Sequence, residues 1–314
     1  MSQAKHMKAA VLLNKAAGNI VCRDGRTLSE TLTAAFARHG ITATLYFLSA
    51  TELKARARRA LQEVRIGQID VLVVGGGDGS IASVANVFAG SEFPIGVLPL
   101  GTLNHFAKDL GIPLALEPAV ALIAAGQVQS VDLGEVNGEI FVNNSSIGIY
   151  PYLVLDRQRL QDRRRMGKWT AMAFAIWRTL LHFPLRRLHI RAGGLAEPYR
   201  SPCLFIGNNE YCLTGRAAGK RERLDAGELC VYVAKRQSRF ALFWLACRSL
   251  LGFLDQSRDL RVVKTRDARI TSHTSRLLVA LDGEVAMLRS PLRYRARPNA
   301  LRVFAPAPGN GPGQ

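Results

Sequence analysis

The sequence lacks any apolar run that approaches the roughly 20 residues needed to cross a bilayer. Its first residues also lack the apolar core of a secretory signal, so we expect a cytoplasmic protein. Cysteine is scarce, because the five cysteines are scattered and form no C-x-x-C pair. This spacing favours reduced, mostly buried thiols over a disulfide framework.

Acidic residues are few as well, with 24 against 42 lysines and arginines, which leaves a net charge of +18. An excess of this size attracts polyanions. Nucleic acid, anionic lipid and a phosphorylated cofactor all fit, and charge alone does not choose among them. The sequence has no recognisable zinc-finger, RRM or helix-turn-helix signature, which argues against a nucleic-acid partner.

The first part of the chain alternates between strand-like and helix-like segments. Apolar runs predict strands at 8–13, 41–47, 70–74 and 95–99. Helical patterns fall between and after them, at 27–38, 51–65, 81–89 and 116–126. This alternation predicts a doubly wound parallel sheet, in which ligands sit at the carboxyl ends of the strands.

Strand-like stretches dominate the rest of the chain, at 139–149, 186–192, 202–208, 228–234, 260–264, 267–272, 276–281 and 285–295. Helices are expected near 154–182 and 238–255. The predicted fold is therefore α/β plus β. A doubly wound domain covers 1–133 and a mainly antiparallel β domain covers 134–295, while 296–305 returns to the first domain and 306–314 is a disordered tail.

A glycine-rich loop, Gly75-Gly-Gly-Asp-Gly-Ser80, follows the third strand and precedes a helix. Glycine lets the backbone approach a phosphate, and the N-terminus of a helix offers N–H groups and partial positive charge. The spacing matches neither the P-loop nor the dinucleotide fingerprint. A tight turn without a ligand is the alternative, but four glycines in six residues favour phosphate binding.

Asp78 lies inside this loop, where a bare carboxylate would repel a phosphate. Either a bridging Mg²⁺ ion removes the conflict, or Asp78 accepts a proton from an acceptor hydroxyl. A second loop begins at Pro99, and parallel pairing would set it beside the first. There, Thr102 can give its hydroxyl to a phosphate and Asn104 can cap the next helix.

Together these loops resemble the diacylglycerol kinase catalytic-domain family, which includes bacterial lipid kinases and the sphingosine and ceramide kinases. The family's Gly-Gly-Asp-Gly-Thr motif is similar to Gly76–Ser80, and its Pro-x-Gly-Thr-x-Asn-Asp-Phe-Ala run, ending in Leu-Gly-Ile-Pro, is similar to Pro99–Pro113. Its early Asn-Pro-x-x-Gly motif resembles Asn14–Gly18, and its late Asp-Gly-Glu matches Asp282–Glu284. The order of the motifs, over nearly the whole chain, makes the resemblance specific.

The resemblance implies an ATP-dependent lipid kinase, with ATP on the first domain and the lipid in a cleft between the domains. It implies nucleotide contacts from the loop residues Asn14, Thr51, Gly76, Gly77, Asp78, Gly79, Ser80 and Thr102. Glu284 would be the proton acceptor, with Asp282 beside it, while Lys168 and Asp132 would join a charged network near the site. Bacterial members also make a homodimer an expectation to consider.

Three departures from the family pattern affect these expectations. Lys15 replaces a proline, and His105 replaces an aspartate of the charged network. The family's Asp-Asp-Gly segment, linked to a structural Mg²⁺ in some bacterial members, is Asp225-Ala-Gly227 here. Asp225 is therefore a candidate metal ligand in a site that has lost one carboxylate.

Phosphoryl transfer depends mainly on positioning and charge neutralisation. We expect Gly76–Ser80 to hold the ATP phosphates with Mg²⁺, while Glu284 or Asp78 deprotonates the acceptor hydroxyl. The alternative for Asp282-Gly-Glu284 is an ordinary hairpin turn, since Asp-Gly is a strong turn signal. Diacylglycerol, ceramide and sphingoid bases all offer a suitable hydroxyl, and the sequence does not choose among them.

Basic and apolar residues lie side by side in the second half of the chain. Five arginines fall between Arg157 and Lys168, and mostly apolar stretches follow at 169–181 and 240–253. With the net charge, this favours peripheral binding to the anionic inner face of the membrane. Core helices with solvated basic ends are the alternative.

Three other functions are compatible with parts of the sequence. An NAD kinase-like enzyme would share the Gly-Gly-Asp-Gly loop, although the Asn14 motif, the Leu-Gly-Ile-Pro run and the Asp-Gly-Glu segment favour lipid kinases. The second is a catalytically inactive lipid-sensing relative, suggested by His105 and Ala226. The third is a nucleic-acid-binding protein, which the charge alone permits.

Overall fold

The structure is a computed structural model, and it describes residues 6–17, 25–148, 151, 187–200, 203–212, 219–234 and 260–307. The predicted helices near 154–182 and 238–255 lie outside the described residues, as do Lys168, the neighbouring basic and apolar stretches, and the tail from 308 onward. The chain divides into two compact units. The first unit contains Met1–Leu133 and Pro298–Gln314, and the second contains Gly134–Arg297.

The first unit is a parallel sheet whose strands are connected by helices. Its strands are β1 (Met7–Asn14), β2 (Ile41–Leu48), β3 (Val71–Gly76) and β4 (Ile95–Pro99). Its helices are α1 (Gly25–Arg38), α2 (Ala50–Arg65), α3 (Asp78–Phe88), α4 (His105–Asp109) and α5 (Leu116–Ala125). The strands pair in the order β2-β1-β3-β4, which confirms the predicted parallel α/β sheet.

Local sequence explains why the elements form where they do. Strand β3 is buried along its whole length, as expected for a parallel strand covered on both faces. Helix α2 buries Leu53, Ala57 and Val64 among others, at the spacing of one helical face. It begins after Ser49, whose backbone N–H donates to the Glu52 carboxylate at 2.8 Å in a capping box.

The junction of β3 and α3 differs from the prediction. The sequence predicts a loop over 75–80 and a helix from 81, whereas the strand continues through Gly76 and the helix begins at Asp78. Glycine disfavours strands, but Gly75 pairs with Leu13 of β1 and Gly76 with Pro99 of β4. Pairing on both sides therefore overrides the local preference and shortens the loop to Gly77.

The second unit is an antiparallel β sandwich. Its strands are β6 (Glu139–Phe141), β7 (Asn144–Gly148), β8 (Arg187–Ala192), β9 (Leu195–Arg200), β10 (Cys203–Asn208), β11 (Leu229–Ala234), β12 (Leu260–Thr265), β13 (Asp267–Ser272), β14 (Arg276–Leu281) and β15 (Glu284–Arg289). One sheet has the order β12-β11-β10-β7-β14-β15. The other joins β9, β8 and β13, and both contribute buried side chains to one core. The predicted mainly antiparallel domain is confirmed.

Two long strands connect the units along the chain. Strand β5 (Val128–Val136) pairs with β6, and β16 (Leu292–Phe304) pairs with β13 through its first residues. The last residues of β16 pair in parallel with β4, where Val303 lies opposite Ile95. The C-terminal segment thus adds a strand to the sheet of the first unit.

Strand boundaries in the second unit were harder to predict. The expected strand at 139–149 is two strands, β6 and β7, because the chain turns at 142–143. The expected strand at 285–295 is also two, separated at Ser290-Pro291. Strand β9 was missed because Pro198 argues against a strand, but β9 is an edge strand, where proline is tolerated.

The expectations of reduced cysteines and of no membrane-spanning segment can be compared with the structure. Cys212 and Cys230 are free thiols, and burial raises the pKa of Cys230 to about 12, so that thiol stays protonated at neutral pH. None of the helices in the described ranges is long and apolar enough to cross a membrane.

The contact between Gly134 and Phe141 gives a test of the packing in the second unit. Gly134 in β5 lies opposite Phe141 in β6, and a Cβ at Gly134 would overlap the buried phenyl ring. We predict that Gly134→Ala lowers the free energy of unfolding by roughly 1–3 kcal/mol through overpacking, measured by urea unfolding. Phe141→Leu in the same chain should make room for the methyl group, so the two losses should not add. Additive losses would contradict this explanation.

Candidate active site

The four parallel strands of the first unit end at one edge of the sheet. Asn14 ends β1, Thr51 follows β2 in the first turn of α2, and Gly76 ends β3. Gly101 and Thr102 follow β4. The structure therefore brings the predicted nucleotide-binding residues of the first unit to the carboxyl edge, where ligands of doubly wound sheets bind.

Asn14 and Ser80 contact each other. The Asn14 side-chain amide donates to Ser80 Oγ at 2.9 Å, and its carbonyl oxygen accepts from the Ala16 N–H at 3.0 Å. Ser80 is buried in the first turn of α3, directly over Gly76, where a Cβ would come within 2.5 Å of Ser80 Oγ. This pair ties the end of β1 to the start of α3, so both residues hold the glycine turn in place.

The glycine turns after β3 and β4 are in direct contact, as the sequence predicts. The Leu100 and Gly101 N–H groups both donate to the Gly76 carbonyl at 3.1 Å. A Cβ on Gly101 would overlap Gly77, whereas a Cβ on Gly77 would make only an ordinary 3.4 Å contact with Gly101. Gly101 is thus required by packing, while the position of Gly77 leaves room for an approaching ligand.

Asn104 closes its own loop and does not cap the next helix with its side chain. Its side-chain oxygen accepts from the Gly101 N–H at 3.0 Å, and its amide donates to the carbonyls of Gly101 and Pro99 at 2.9 and 3.2 Å. The backbone of Asn104 is left-handed, with φ of 52°. The predicted side-chain cap is therefore wrong, because the amide is fully used inside the turn.

Asp78 supplies that cap. One carboxylate oxygen accepts from the His105 N–H at 3.1 Å and the other from the Phe106 N–H at 2.9 Å. Asp78 thereby fastens the first turn of α3 to the start of α4. The exposed side chain of His105 takes no part in this, so the replacement of the family aspartate leaves the contact intact.

The hydrogen bonds of Asp78 also show whether its carboxylate is available to bind a magnesium ion. Both Asp78 oxygens already accept backbone hydrogen bonds, and the described residues contain no group of three or more His, Cys, Asp or Glu that could hold a metal. Among the described residues, the side chains around Asp78 therefore do not form a ready Mg²⁺ site, and Asp78 as a metal ligand stays a prediction.

The exposed groups at the edge suit an anion. Thr51 and Thr102 are exposed, and the Thr51 hydroxyl lies 3.1 Å from Ser49 Oγ at the start of α2. Helices α2 and α3 both begin at this edge. The start of α3 offers N–H groups and partial positive charge, whereas the capping box at the start of α2 already contains the Glu52 carboxylate. Gly77 and Gly79 lie half-buried at the start of α3, where the backbone is accessible.

The Asp282-Gly283 pair is the two-residue loop of the β14–β15 hairpin. Both residues have positive φ, 49° and 87°, as a type I′ turn requires, so the hairpin alternative is correct as local structure. The Asp282 carboxylate accepts from the N–H groups of Val142, Asn143 and Asn144, at 2.8, 2.7 and 3.1 Å. Asp282 therefore organises the turn between β6 and β7.

Glu284 differs from its neighbour. It begins β15, is exposed, and has no hydrogen-bond or ion-pair partner among the described residues. Protein atoms around the carboxyl group still desolvate it partly and raise its pKa above the usual range of glutamate. A carboxylate with a raised pKa and no partner can accept a proton, whereas the carboxylate of Asp282 is already engaged.

Asp225 has an arginine as its partner. Its carboxylate lies 3.0 Å from Nε of Arg223, and both side chains are exposed. It lines a cavity of about 590 Å³ in the second unit, together with Glu222, Glu228 and Lys264 among others. Lys264 bridges Glu210 and Glu228 there, which further satisfies the acidic groups. As a metal ligand, Asp225 stays a prediction.

Two further charged residues, Arg221 in the second unit and Asp132 in the first, are buried and bind backbone groups. Arg221 donates to the carbonyls of Val142 and Asn208 at 2.8 and 3.1 Å and to Asn143 Oδ1 at 2.6 Å. Arg221 is not among the predicted site residues, because the charged run Lys220-Arg-Glu-Arg223 is typical of a solvated surface. Asp132, expected in a charged network, is buried and accepts from the Asn299 N–H at 2.8 Å.

Comparisons with known proteins identify the families of both parts of the chain. The diacylglycerol kinase catalytic domain matches residues 8–136, and the YegS C-terminal NAD kinase beta sandwich-like domain matches 155–305. A "Probable lipid kinase YegS-like" of Pseudomonas aeruginosa is 31% identical over 259 residues, which cover 80% of this chain and 82% of the relative. A "Probable lipid kinase YegS" of Escherichia fergusonii is 39% identical over 99 residues, covering 30% of this chain and 33% of the relative.

A solved structure shares the fold. A diacylglycerol kinase from Bacillus anthracis str. Sterne aligns with a TM-score of 0.67 at 20% identity, over 97% of this chain and 99% of that one. The sequence matches cover both units, and the glycine turns lie within the first matched domain. The chain therefore belongs to the family of lipid kinases that carry a diacylglycerol kinase catalytic domain.

Proposed function

We propose that this kinase transfers the γ-phosphoryl group of ATP to a hydroxyl of a membrane lipid, either diacylglycerol or a ceramide- or sphingoid-type lipid. The observation that carries the proposal is the glycine turn at Gly77. It lies at the N-terminus of α3, its Cβ position is open, and Asn14, Ser80 and the Gly101 turn hold it in place. Such a turn suits the phosphates of a nucleotide.

In this proposal the backbone of Gly76–Gly79 and the hydroxyls of Thr51 and Thr102 contact the nucleotide. Asp78 acts by positioning, because its carboxylate joins α3 to α4. Mg²⁺ would arrive with ATP, bound largely by the phosphates, and would neutralise their charge.

Glu284 is the proposed proton acceptor for the lipid hydroxyl. Support comes from its exposure, its lack of a partner among the described residues and its raised pKa. A higher pKa makes a carboxylate a stronger base once it is ionised. Asp282 has a positioning role, because it fixes the backbone at 142–144 beside the hairpin that carries Glu284.

The net charge of +18 supports peripheral association with the anionic inner face of the membrane. A homodimer is a further part of the proposal, taken from the resemblance to bacterial family members, and sedimentation of the purified protein would test it.

The central experiment is transfer of labelled phosphate from ATP to a total lipid extract, followed by mass spectrometry of the products. We expect one class of phosphorylated lipid alcohol and no product when NAD replaces the lipid. Phosphorylation of NAD alone would favour the NAD kinase alternative, and no product from either substrate would favour an inactive relative.

The two glycines allow a matched test of the nucleotide site. Gly77→Ala places a methyl group where a ligand would approach, so we predict a folded protein with weaker ATP binding, by about tenfold or more. Gly101→Ala forces the two turns apart, so its melting temperature should fall. Calorimetric ATP titration and thermal unfolding measure the two effects. Unchanged ATP affinity in Gly77→Ala would remove the phosphate-binding role of this turn.

The two carboxylates of the hairpin should respond differently to amide substitution. Glu284→Gln should lower kcat by at least about 100-fold, the usual range for loss of a general base. It should not lower the melting temperature at neutral pH, because the raised pKa means that the ionised carboxylate is disfavoured in the folded state. For the same reason, the acidic limb of kcat/KM in the parent protein should lie above the ordinary glutamate value of about 4.3.

Asp282→Asn is the matched control. An amide cannot replace a carboxylate that accepts hydrogen bonds from three backbone N–H groups. The free energy of unfolding should therefore fall by about 1–3 kcal/mol. Equal effects of the two substitutions on both stability and kcat would show that the roles are not divided in this way.

A further inference from the structure

One face of a sheet in the second unit carries a row of arginines. Arg191 of β8 lies directly opposite Arg269 of β13, and Arg269 lies directly opposite Arg293 of β16. Residues opposite each other on antiparallel strands point to the same face, with Cβ atoms about 5 Å apart. These three residues, the arginine row, therefore cross three adjacent strands side by side.

The arginine row is exposed, and the opposite face of the same strands is core. Ile190, Ile270 and Leu292, each next to one of the arginines in sequence, are buried. The strand period of two thus sets all three arginines toward solvent. A basin of about 300 Å³ opens on this surface, lined by His189, Arg191, Arg269 and Thr271 among others.

No carboxylate neutralises the row within the described part of the chain. Arg191, Arg269 and Arg293 make no ion pair there, and the nearby Asp267 lies 3.8 Å from Nε of Arg295, one step further along the strands. Like charges directly opposite one another destabilise a sheet. Anions placed against the row would relieve that repulsion, and phosphates are good partners because guanidinium groups bind them with two hydrogen bonds each.

We propose that the arginine row is a docking surface for the phosphate headgroups of an anionic phospholipid bilayer. This inference rests on the lipid-kinase function proposed above, since an enzyme whose acceptor lies in a bilayer must stay at that surface. The described positions on this face of β8, β9 and β13 carry no Phe, Tyr or Trp, the side chains on which single-stranded nucleic acids mainly stack. Charge complementarity suits a layer of lipid phosphates, and the lack of these stacking side chains argues against a single-stranded nucleic acid.

The test compares two triple variants of the intact chain that lose the same charge. R191Q/R269Q/R293Q removes the row, and R58Q/R59Q/R65Q removes three exposed arginines of α2. Binding to vesicles of phosphatidylglycerol and phosphatidylcholine is measured by co-sedimentation. The affinity of the row variant for these vesicles should fall by at least about tenfold, because each basic residue at an anionic surface raises the affinity by about fivefold. The α2 variant should change by less than about threefold, and pure phosphatidylcholine should bind neither the parent nor the variants well.

Folding and activity are read out separately. The row variant should melt no lower than the parent, because its like-charge repulsion is gone. If the parent phosphorylates a lipid dispersed in neutral detergent micelles, the row variant should keep that activity and lose activity on anionic vesicles. A parent without lipid kinase activity in any form would refute the proposed function, while the vesicle-binding comparison would still stand on its own.

Three results would overturn the docking surface. The first is an equal loss of vesicle binding in both triple variants, which would assign binding to net charge. The second is unchanged binding in the row variant. The third is an unchanged affinity for vesicles together with lost binding of a single-stranded oligonucleotide, which would make the row a nucleic-acid surface.

Discussion

The turns after β3 and β4 meet at Gly77 and Gly101, where the two backbones come closer than a side chain on Gly101 would allow. Parallel pairing of Gly76 with Pro99 brings the turns together, and hydrogen bonds from Leu100 and Gly101 to the Gly76 carbonyl hold them. Hydrogen bonds from the surrounding polar side chains stabilise this contact. Asn14 fixes Ser80 from one side, Asn104 closes the second turn, and Asp78 fastens α3 to α4. The result is a rigid, side-chain-free surface at the start of a helix, which is what binding a phosphate through backbone N–H groups requires.

The acidic residues of the two Asp-Gly motifs also divide into two kinds, according to their hydrogen-bond partners. Asp78 and Asp282 both sit beside glycine, and both spend their oxygens on backbone N–H groups of a neighbouring segment. A carboxylate used in this way is held in one orientation and is a poor base. Glu284 has no such partner among the described residues and carries a raised pKa. In the proposed mechanism Glu284 therefore accepts the proton, while Asp78 and Asp282 hold the backbone in place.

The sequence predicted the parallel sheet, the antiparallel domain and the meeting of the two glycine turns, because strand periodicity and glycine clustering are local signals. Predictions from the sequence were wrong where contacts between distant segments determine the local structure. Gly75 and Gly76 belong to β3 only because β1 and β4 pair with them, and β9 tolerates Pro198 only because it lies at an edge. Helix α4 is capped from outside by Asp78, 27 residues away from His105, so the local cap signal at Asn104 was misleading. Arg221 looked like surface charge for the same reason, since its partners lie on other strands.

The buried arginine and the exposed arginines of the second unit have different roles. Buried Arg221 donates to the neutral oxygens of Val142, Asn208 and Asn143, so its guanidinium group holds separate backbone segments of the second unit together. The arginine row has the opposite arrangement, with three guanidinium groups in register and no carboxylate among the described residues to neutralise them. In water this repulsion is modest, because the high dielectric constant of the solvent weakens the interaction between exposed charges. At the proposed docking surface each arginine would instead face a lipid phosphate, and several weak contacts of this kind would let a surface-bound enzyme release and rebind as it exchanges substrate and product.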